Sequence, residues 1–420
     1  MSRRRRLAGT LVFDAVAVVV AVAVVVVVPT IAGCSDDPAV GRDLEGRDAG
    51  PGPCVDVTPV RLSDGPGPHV RPGLAYNDDV FGVAWSEGGD VAGRIRFLTV
   101  RPEGVPASPV VRLSDIGPAM SPRVAAAAPG DGFGVVWYAG GGHADDIFFA
   151  RVAGDGRPLG GERGISEQAG WSYAASLAYV DGAFVTVWLD ERRGGLQAFG
   201  RVLEPDGAPG GPIVQLTHDA ERAARPAVVA GAEGDGAVLV WTRWPDGHDP
   251  IFVARLDDAL APGTPAIVVD DEAPASHPAV LLLGGSQALV AWDDEPGGRL
   301  FVRSIDVGGA VGAQPASRVV ARGARAKQPA LAGGPATGAP VGLFWSDAED
   351  TSDGLRDLRF RLLDPAGTPT GPTLTISSAP GDDLQAVAAW DGQGFGVTWF
   401  RSGPRSEAVY YAHVDPACGP

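Results

Sequence analysis

The chain reads as an all-β protein, a seven-bladed β-propeller closed by pairing of its N- and C-terminal strands. Three observations predict it: a tryptophan period, four short β-prone runs within each period, and a phase mismatch between the two ends. Trp85, Trp137, Trp188, Trp241, Trp292, Trp345 and Trp399 follow one another at intervals of 52, 51, 53, 51, 53 and 54 residues. A period of that length marks a series of similar supersecondary units. Seven of them account for almost everything after residue 55.

The second unit displays the pattern best. Arg112-Leu113-Ser114 leads through Pro122-Arg123-Val124-Ala125 to Asp131-Gly132-Phe133-Gly134-Val135-Val136-Trp137, then Asp146-Ile147-Phe148-Phe149-Ala150-Arg151-Val152 and Gly154-Asp155-Gly156. These four runs, d, a, b and c in order of appearance, carry β-branched and aromatic residues bounded by turn residues. Asp131-Gly132, Asp181-Gly182, Asp235-Gly236 and Asp391-Gly392 fall between a and b, where a tight hairpin needs positive φ. Asp155-Gly156 and Asp206-Gly207 serve the c-to-d turns. Strand b is apolar on both faces, as in Phe133 and Val135 against Val136, so each sheet is expected to be covered on both sides. Radial stacking does this, and four strands per blade fit a propeller. The alternative is a β-sandwich or an open solenoid of the same units. No stretch after the leader has a helical period, and residues 333–339 read as an insertion at the a-to-b turn of the sixth unit.

The ends favour a ring over an open array. The repeats begin with a d strand, residues 60–63, and end with a c strand, residues 409–414. The first d therefore lacks a blade and the last blade lacks a d; a ring resolves both. Cys54 lies six residues before Val60 and Cys418 four after Val414, so an antiparallel c–d pair brings the two sulfurs together. A disulfide there would close a loop of about 360 residues, worth several kcal/mol in chain-entropy terms.

The N-terminus supplies an address. Arg3, Arg4, Arg5 and Arg6 precede an apolar core at residues 15–28, and Pro29-Thr30-Ile31-Ala32-Gly33-Cys34 follows. A basic region, a short apolar region and small residues make a secretory leader. Asp14 and Pro29 leave it short of the roughly 20 residues a membrane span requires. Ile31-Ala32-Gly33-Cys34 resembles the bacterial lipobox. That resemblance implies cleavage before Cys34, diacylglycerol attachment to its sulfur and acylation of the new N-terminus, with palmitate the usual chain. Ser35 after the cysteine resembles proteins sorted to the outer membrane. The expected organisation is a signal peptide at 1–33, a lipidated cysteine and unstructured tether at 34–54, and the propeller at 55–420.

Composition bounds the partners. The formal charge is −17, and loss of the leader's four arginines and one aspartate takes it to −20. Nucleic acid and bare anionic lipid are disfavoured by such a charge. Membrane contact is expected through the anchor alone, the protein as a monomer, and its partner as an envelope protein or a glycan.

No motif names an activity. The periodic tryptophans repeat in every blade and are read as core. Arg151, Arg201, Arg255 and Arg361 share one position of strand c with His413, which points to a structural contact rather than catalysis. Departures from the repeat collect in the d-to-a and b-to-c loops, which emerge on one face. His69, His218 and His277 fall in the former, His143 and His248 in the latter. The mouth of the axis is expected to be lined by Arg71, Ser121, Ala174, Arg225, His277, Gln328 and Leu384, with Trp171, Tyr173, Met120 and Trp244 adding apolar surface. The ligand-binding face is accordingly centred on Arg71, Trp171, Arg225, His248 and His277. His218, His248 and His277 with Asp219 and Asp249 are the nearest approach to a metal set, but no short ligand spacing links them, and no cofactor is expected.

The units resemble the seven-bladed propeller repeats of bacterial surface lipoproteins: an inner strand opened by Pro, a Gly-aromatic-Val-x-Trp strand, and an Ile-x-x-x-Arg-Val strand. The resemblance covers residues 57–415 and implies no particular activity. Sialidases are propellers with Ser-x-Asp-x-Gly-x-Thr-Trp boxes, and none occurs here. The resulting expectation is a non-catalytic, lipid-anchored binding module. Its alternative is a glycan-acting hydrolase or lyase, with acid–base groups drawn from Asp145, Asp190, Asp249 or Asp293 and with Arg71 and Arg225 gripping an anionic substrate.

Overall fold

A computed structural model describes residues 57–416, apart from 66, 141–144, 168–169, 219–221, 232–235, 245–249, 270–274, 295–296, 309–317, 323–324, 335–337, 349–353 and 404–405. It holds seven antiparallel four-stranded sheets, each in the order a-b-c-d. The leader, Cys34, Cys54 and Cys418 lie outside the described residues, as does the pairing expected between the last two.

The innermost strands are His69–Asn77, Ala119–Ala126, Ser172–Val180, Arg222–Ala230, Ser276–Gly284, Lys327–Gly333 and Asp382–Trp390. Each packs against the a strand of the next blade, and the seventh packs against the first. Between every pair of adjacent blades lies one apolar cluster built from the two facing sheets. The b strands are covered on both sides, so in Phe133–Gly140 five consecutive residues from Phe133 to Trp137 are buried.

The Phe-Gly-Val run has a steric origin. A β-carbon on Gly82 would meet the Phe133 ring, one on Gly134 the Phe184 ring, one on Gly342 the Phe395 ring and one on Gly396 the Phe81 ring. Each of these glycines is a notch that receives the first aromatic residue of the following blade's b strand. The last of the four contacts runs from blade seven to blade one and closes the ring. All seven periodic tryptophans are buried. Trp137, Trp241, Trp292 and Trp399 stack on the aromatic residue opposite them in strand c, namely Phe148, Phe252, Phe301 and Tyr410. Such cross-strand pairs hold the register of a sheet.

Closure follows the predicted phase. Val60–Arg61 pairs with Ser406–Val414, placing Val60 opposite Tyr411 and Arg61 opposite Tyr410, so the N-terminal strand is the outer edge of blade seven. The aliphatic residue and hydroxyl that follow several d strands explain themselves here. Leu62 N–H donates to the Val409 carbonyl, and Val409 N–H donates to the Ser63 hydroxyl, both at 2.8 Å. The same pair of bonds recurs with Leu113 and Ser114 on Ile95, Ile165 and Ser166 on Ile147, and Leu216 and Thr217 on Ala198. A hydroxyl thus satisfies a backbone donor where the short d strand runs out.

The strand c cations are structural, as their repetition implied. Arg201 donates to the Gly211 and Ile165 carbonyls and Arg361 to the Gly371 carbonyl, while His413 Nε2 lies 2.8 Å from Asp391. Two local features depart from expectation. A single helical turn, Gly89–Ala92, sits in the b-to-c loop of blade one. In blade four the c-to-d turn places buried Leu260 at φ 63°, where blades two and three have Gly156 and Gly207 at 83°.

His69 belongs to the core rather than to the loop face. It is 1% exposed, its Nδ1 accepts from the Trp85 indole at 3.2 Å, and burial lowers its pKa from 6.5, with Glu87 partly opposing. Below pH 6.5 the unfolded chain therefore binds more protons than the folded one, and acidification destabilises the propeller. Replacing His69 by Gln should make the melting temperature less dependent on pH between about 7 and 5; equal slopes for the two proteins would contradict the assignment. Ser63→Ala should cost about 1–3 kcal/mol in denaturant unfolding, because Val409 N–H is left unsatisfied, whereas the exposed Asp64→Ala should fall within about 0.5 kcal/mol of the parent.

Candidate functional site

Every a strand contains a register shift near its start, between Val70 and Gly73 in blade one and at the equivalent positions of the other six. A bulge of this kind adds one unpaired residue and re-aims its side chain. At the shift, Arg71, Ser121, Ala174, Arg225, His277, Gln328 and Gln385 take φ values between 48° and 56°. Proline follows in five blades, as Pro72, Pro122, Pro226, Pro278 and Pro329, since a bulge tolerates a residue without a backbone donor. Six of the seven residues expected around the axis are thus correctly placed. The seventh is Gln385, not Leu384, and all seven lie inside strand a rather than before it.

Hydrogen bonds link some of the neighbouring bulges. Arg71 Nη1 donates to Ser121 Oγ at 3.2 Å and to Tyr138 Oη at 3.1 Å. Arg225 Nη1 donates at 3.1 Å to Oγ of Ser276, the residue that precedes His277 in the chain. His277 Nδ1 lies 2.9 Å from Asp293 Oδ2, and the same oxygen accepts Gln328 N–H at 2.9 Å. Gln385 N–H donates to Gln328 Oε1 at 3.1 Å. Blades four to seven are therefore joined by one polar chain running Arg225, Ser276 and His277, Asp293, Gln328, Gln385.

Asp293 is the chemically distinctive member. Its side chain is fully buried, and Oδ1 has no partner among the described residues. It stands directly after Trp292, at a position occupied elsewhere by Ser86, Tyr138, Leu189, Thr242, Ser346 and Phe400. That position abuts the next blade's bulge, as Ser86 Oγ accepting Ser121 N–H at 3.0 Å also shows. His277, 27% exposed at its side chain, is held by the carboxylate through one nitrogen and keeps the other for chemistry.

The remaining sequence-based candidates divide. Trp171 is 47% exposed on the rim just ahead of strand a of blade three, and Tyr173 is half-buried. Met120 is buried, because it points between blades rather than to the mouth, so it adds no binding surface. His218 is exposed. His143, His248, Asp219, Asp249 and the side chain of Trp244 lie outside the described residues, so the proposed metal set is represented by His218 and His277 alone. Among the described residues no group of three His, Cys, Asp or Glu side chains could hold a metal ion.

Of the carboxylates, Asp190 is engaged within its own blade. It is buried and accepts from Ser172, Trp188 and Arg192, and despite the opposing effect of burial these donors hold its carboxyl below the usual range. Asp145 opens strand c of blade two, away from the ring, where burial and then Asp146 raise its pKa. Sequence reasoning passed over Arg123 and Tyr138. Their signal was available: Arg123 stands two residues after its bulge, where the other blades have Gly73, Ser176, Ala227, Ala279, Ala330 and Val387.

No family model matches the chain, and no curated protein is similar to it. Among solved structures it is similar to the Hadza microbial sialidase Hz136, with TM-score 0.50 and 12% identity over 81% of this chain and 77% of that one. It is also similar to the α-L-arabinofuranosidase Arb93A from Fusarium graminearum, with TM-score 0.48 and 11% identity over 70% and 93%. A third is PaAbf62A, an α-L-arabinofuranosidase from Podospora anserina, with TM-score 0.37 and 12% identity over 59% and 92%. By name these neighbours are a sialidase and two arabinofuranosidases, so the expectation of a non-catalytic scaffold is set aside and its glycan-acting alternative is taken up below as a proposal. At such low identity the likeness extends to the propeller fold, and the chemistry has to come from this chain's own residues.

Proposed function

We propose that the protein is a secreted, lipid-anchored enzyme that cleaves glycans at the axial mouth of its propeller. The observation that carries the reading is the His277–Asp293 pair, with Arg225 bonded to the preceding Ser276, in a set of bulges whose other blades bear no such pair. A buried carboxylate that accepts Nδ1–H fixes the imidazole tautomer, directs Nε2 outward as the basic nitrogen, and stabilises the imidazolium formed on proton uptake. General acid–base work is what cleavage of a glycosidic linkage demands, by water or by elimination.

The leader supports an extracytoplasmic setting. Cys34 anchors the protein in the outer membrane, the propeller hangs from a short tether, and a monomer meets its substrate at the face made by the d-to-a and b-to-c loops. Glycans of the envelope or its surroundings are the partners within reach. Acyl-cysteine at residue 34 and a bridge between Cys54 and Cys418 belong to this reading, and peptide mass spectrometry of the membrane fraction tests both.

The activity itself is tested by measuring new reducing ends from a panel of neutral and acidic polysaccharides. His277→Ala should lower the rate by about 10²–10⁴-fold without moving the melting temperature appreciably. Undiminished release by this variant would remove the axial mouth as the active site.

A further inference from the structure

We infer that the glycan carries uronate carboxylates and that it is cleaved by β-elimination rather than hydrolysis, an inference that rests on the glycan-acting reading above.

The first observation is a local reversal of charge. In a chain of net charge −17, Arg71, Arg123 and Arg225 stand on innermost strands and, among the described residues, none is paired with a carboxylate. Their partners are neutral: Ser121 and Tyr138 for Arg71, the Pro122 carbonyl for Arg123, and Ser276 for Arg225. Other arginines do pair, as with Arg192 on Asp190, Arg299 on Asp294 and Arg401 on Asp383. Crowding by surrounding protein atoms, and then the Arg71 guanidinium, push the Arg123 pKa down although the side chain is open to solvent, so the two cations work against each other. An anion lying between them relieves that repulsion, and planar guanidinium groups suit carboxylates in particular.

The second observation is the state of the acids. Hydrolysis by the usual route needs two carboxyl groups flanking the scissile bond. Among the described carboxylates of the inner region, Asp190 is held by Arg192, Asp382 by Arg356, Asp383 by Arg401 and Asp347 by the Trp345 indole. Asp293 is occupied by His277 and by Gln328 N–H. What the described residues of the mouth offer instead is an imidazole with a buried carboxylate behind it, and cations on the neighbouring bulges.

That set matches elimination. The C5–H of a uronate is acidic because it lies α to the carboxylate, and more so once a guanidinium neutralises the carboxylate charge. Arg225, held on Ser276 one residue before His277, takes that role. His277 Nε2 removes the C5 proton, the released electron pair forms the C4=C5 double bond, and the C4–O bond breaks. The departing sugar oxygen takes a proton from solvent and His277 returns its own to water, so no oxidant, reductant or metal is consumed. Arg71 and Arg123, on blades one and two, hold carboxylates of flanking residues of the polymer. Asp293 is a positioning residue that acts through His277.

The purified protein is incubated with polygalacturonate and hyaluronan as uronate polymers and with arabinan as a neutral one, following ultraviolet absorbance of the conjugated unsaturated uronate alongside reducing ends. The expected result is a parallel rise of both signals with a uronate polymer, suppressed by added salt. Arg225→Gln and His277→Ala should each lose about 10²-fold or more of the absorbance rate while melting like the parent. Asp293→Asn should displace the pH profile of that rate as well as lower it, which a purely structural role would not do. Reducing ends without absorbance, from any of the polymers, overturn elimination while leaving glycan cleavage standing. Neither signal from any polymer overturns both readings.

Discussion

Each innermost strand holds one non-glycine residue at a φ of 48° to 56°, in the left-handed region that costs an L-residue about 1–2 kcal/mol. Seven such residues at one level around an axis are an architectural constraint, because they recur whether the side chain is Arg, Ser, Ala, His or Gln. The extra residue of the bulge cannot join the ladder, so its N–H needs another acceptor. Three are supplied by side chains of the preceding blade: Ser86 for Ser121, Asp293 for Gln328 and Gln328 for Gln385. The strain is thus tied to contacts between blades, and the same turn of the backbone aims a side chain at the axis. Architecture fixes where the seven side chains meet, and only their identities decide what happens there.

The rest of the molecule keeps that ring rigid. Aromatic residues lodged against glycine notches join successive b strands, and the contact of Phe81 with Gly396 joins last to first. The N-terminal strand covers strand c of blade seven through Leu62 and Ser63, so that long strand is not left as an unpaired edge. A propeller without an open seam can hold side chains from seven blades in fixed relation. Acid–base chemistry requires such fixity, because misplacement by about 1 Å is expensive in rate.

Much of the fold was legible because repetition is a strong signal: the tryptophan period counts the blades, the Asp-Gly pairs locate the hairpins, and the phase of the ends locates the closure. The one-residue slip from Leu384 to Gln385 has a cause in the marker. Five bulges announce themselves by a following proline, whereas blade seven has Ala386 at that place. His277 and Asp293 are 16 residues apart on different strands, and nothing local in the sequence says that their side chains meet. The readable hint was divergence at the position after each tryptophan, where Asp293 replaces the small, aliphatic or aromatic residues of the other blades. His69 misled for the opposite reason: it opens strand a instead of lying in the loop before it, and the Trp85 indole holds it in the core. The scaffold expectation failed because repeats report on packing, which an enzyme and a binding module share.

Hydrogen exchange followed by mass spectrometry, with and without a polyuronate oligosaccharide, asks directly whether the ring of bulges is the site. The account predicts protection in peptides covering the starts of the a strands, strongest in 222–230 and 276–284, and none in the c-to-d turns around Gly156 and Gly207. Protection confined to those turns, or spread evenly over all seven blades, would contradict it.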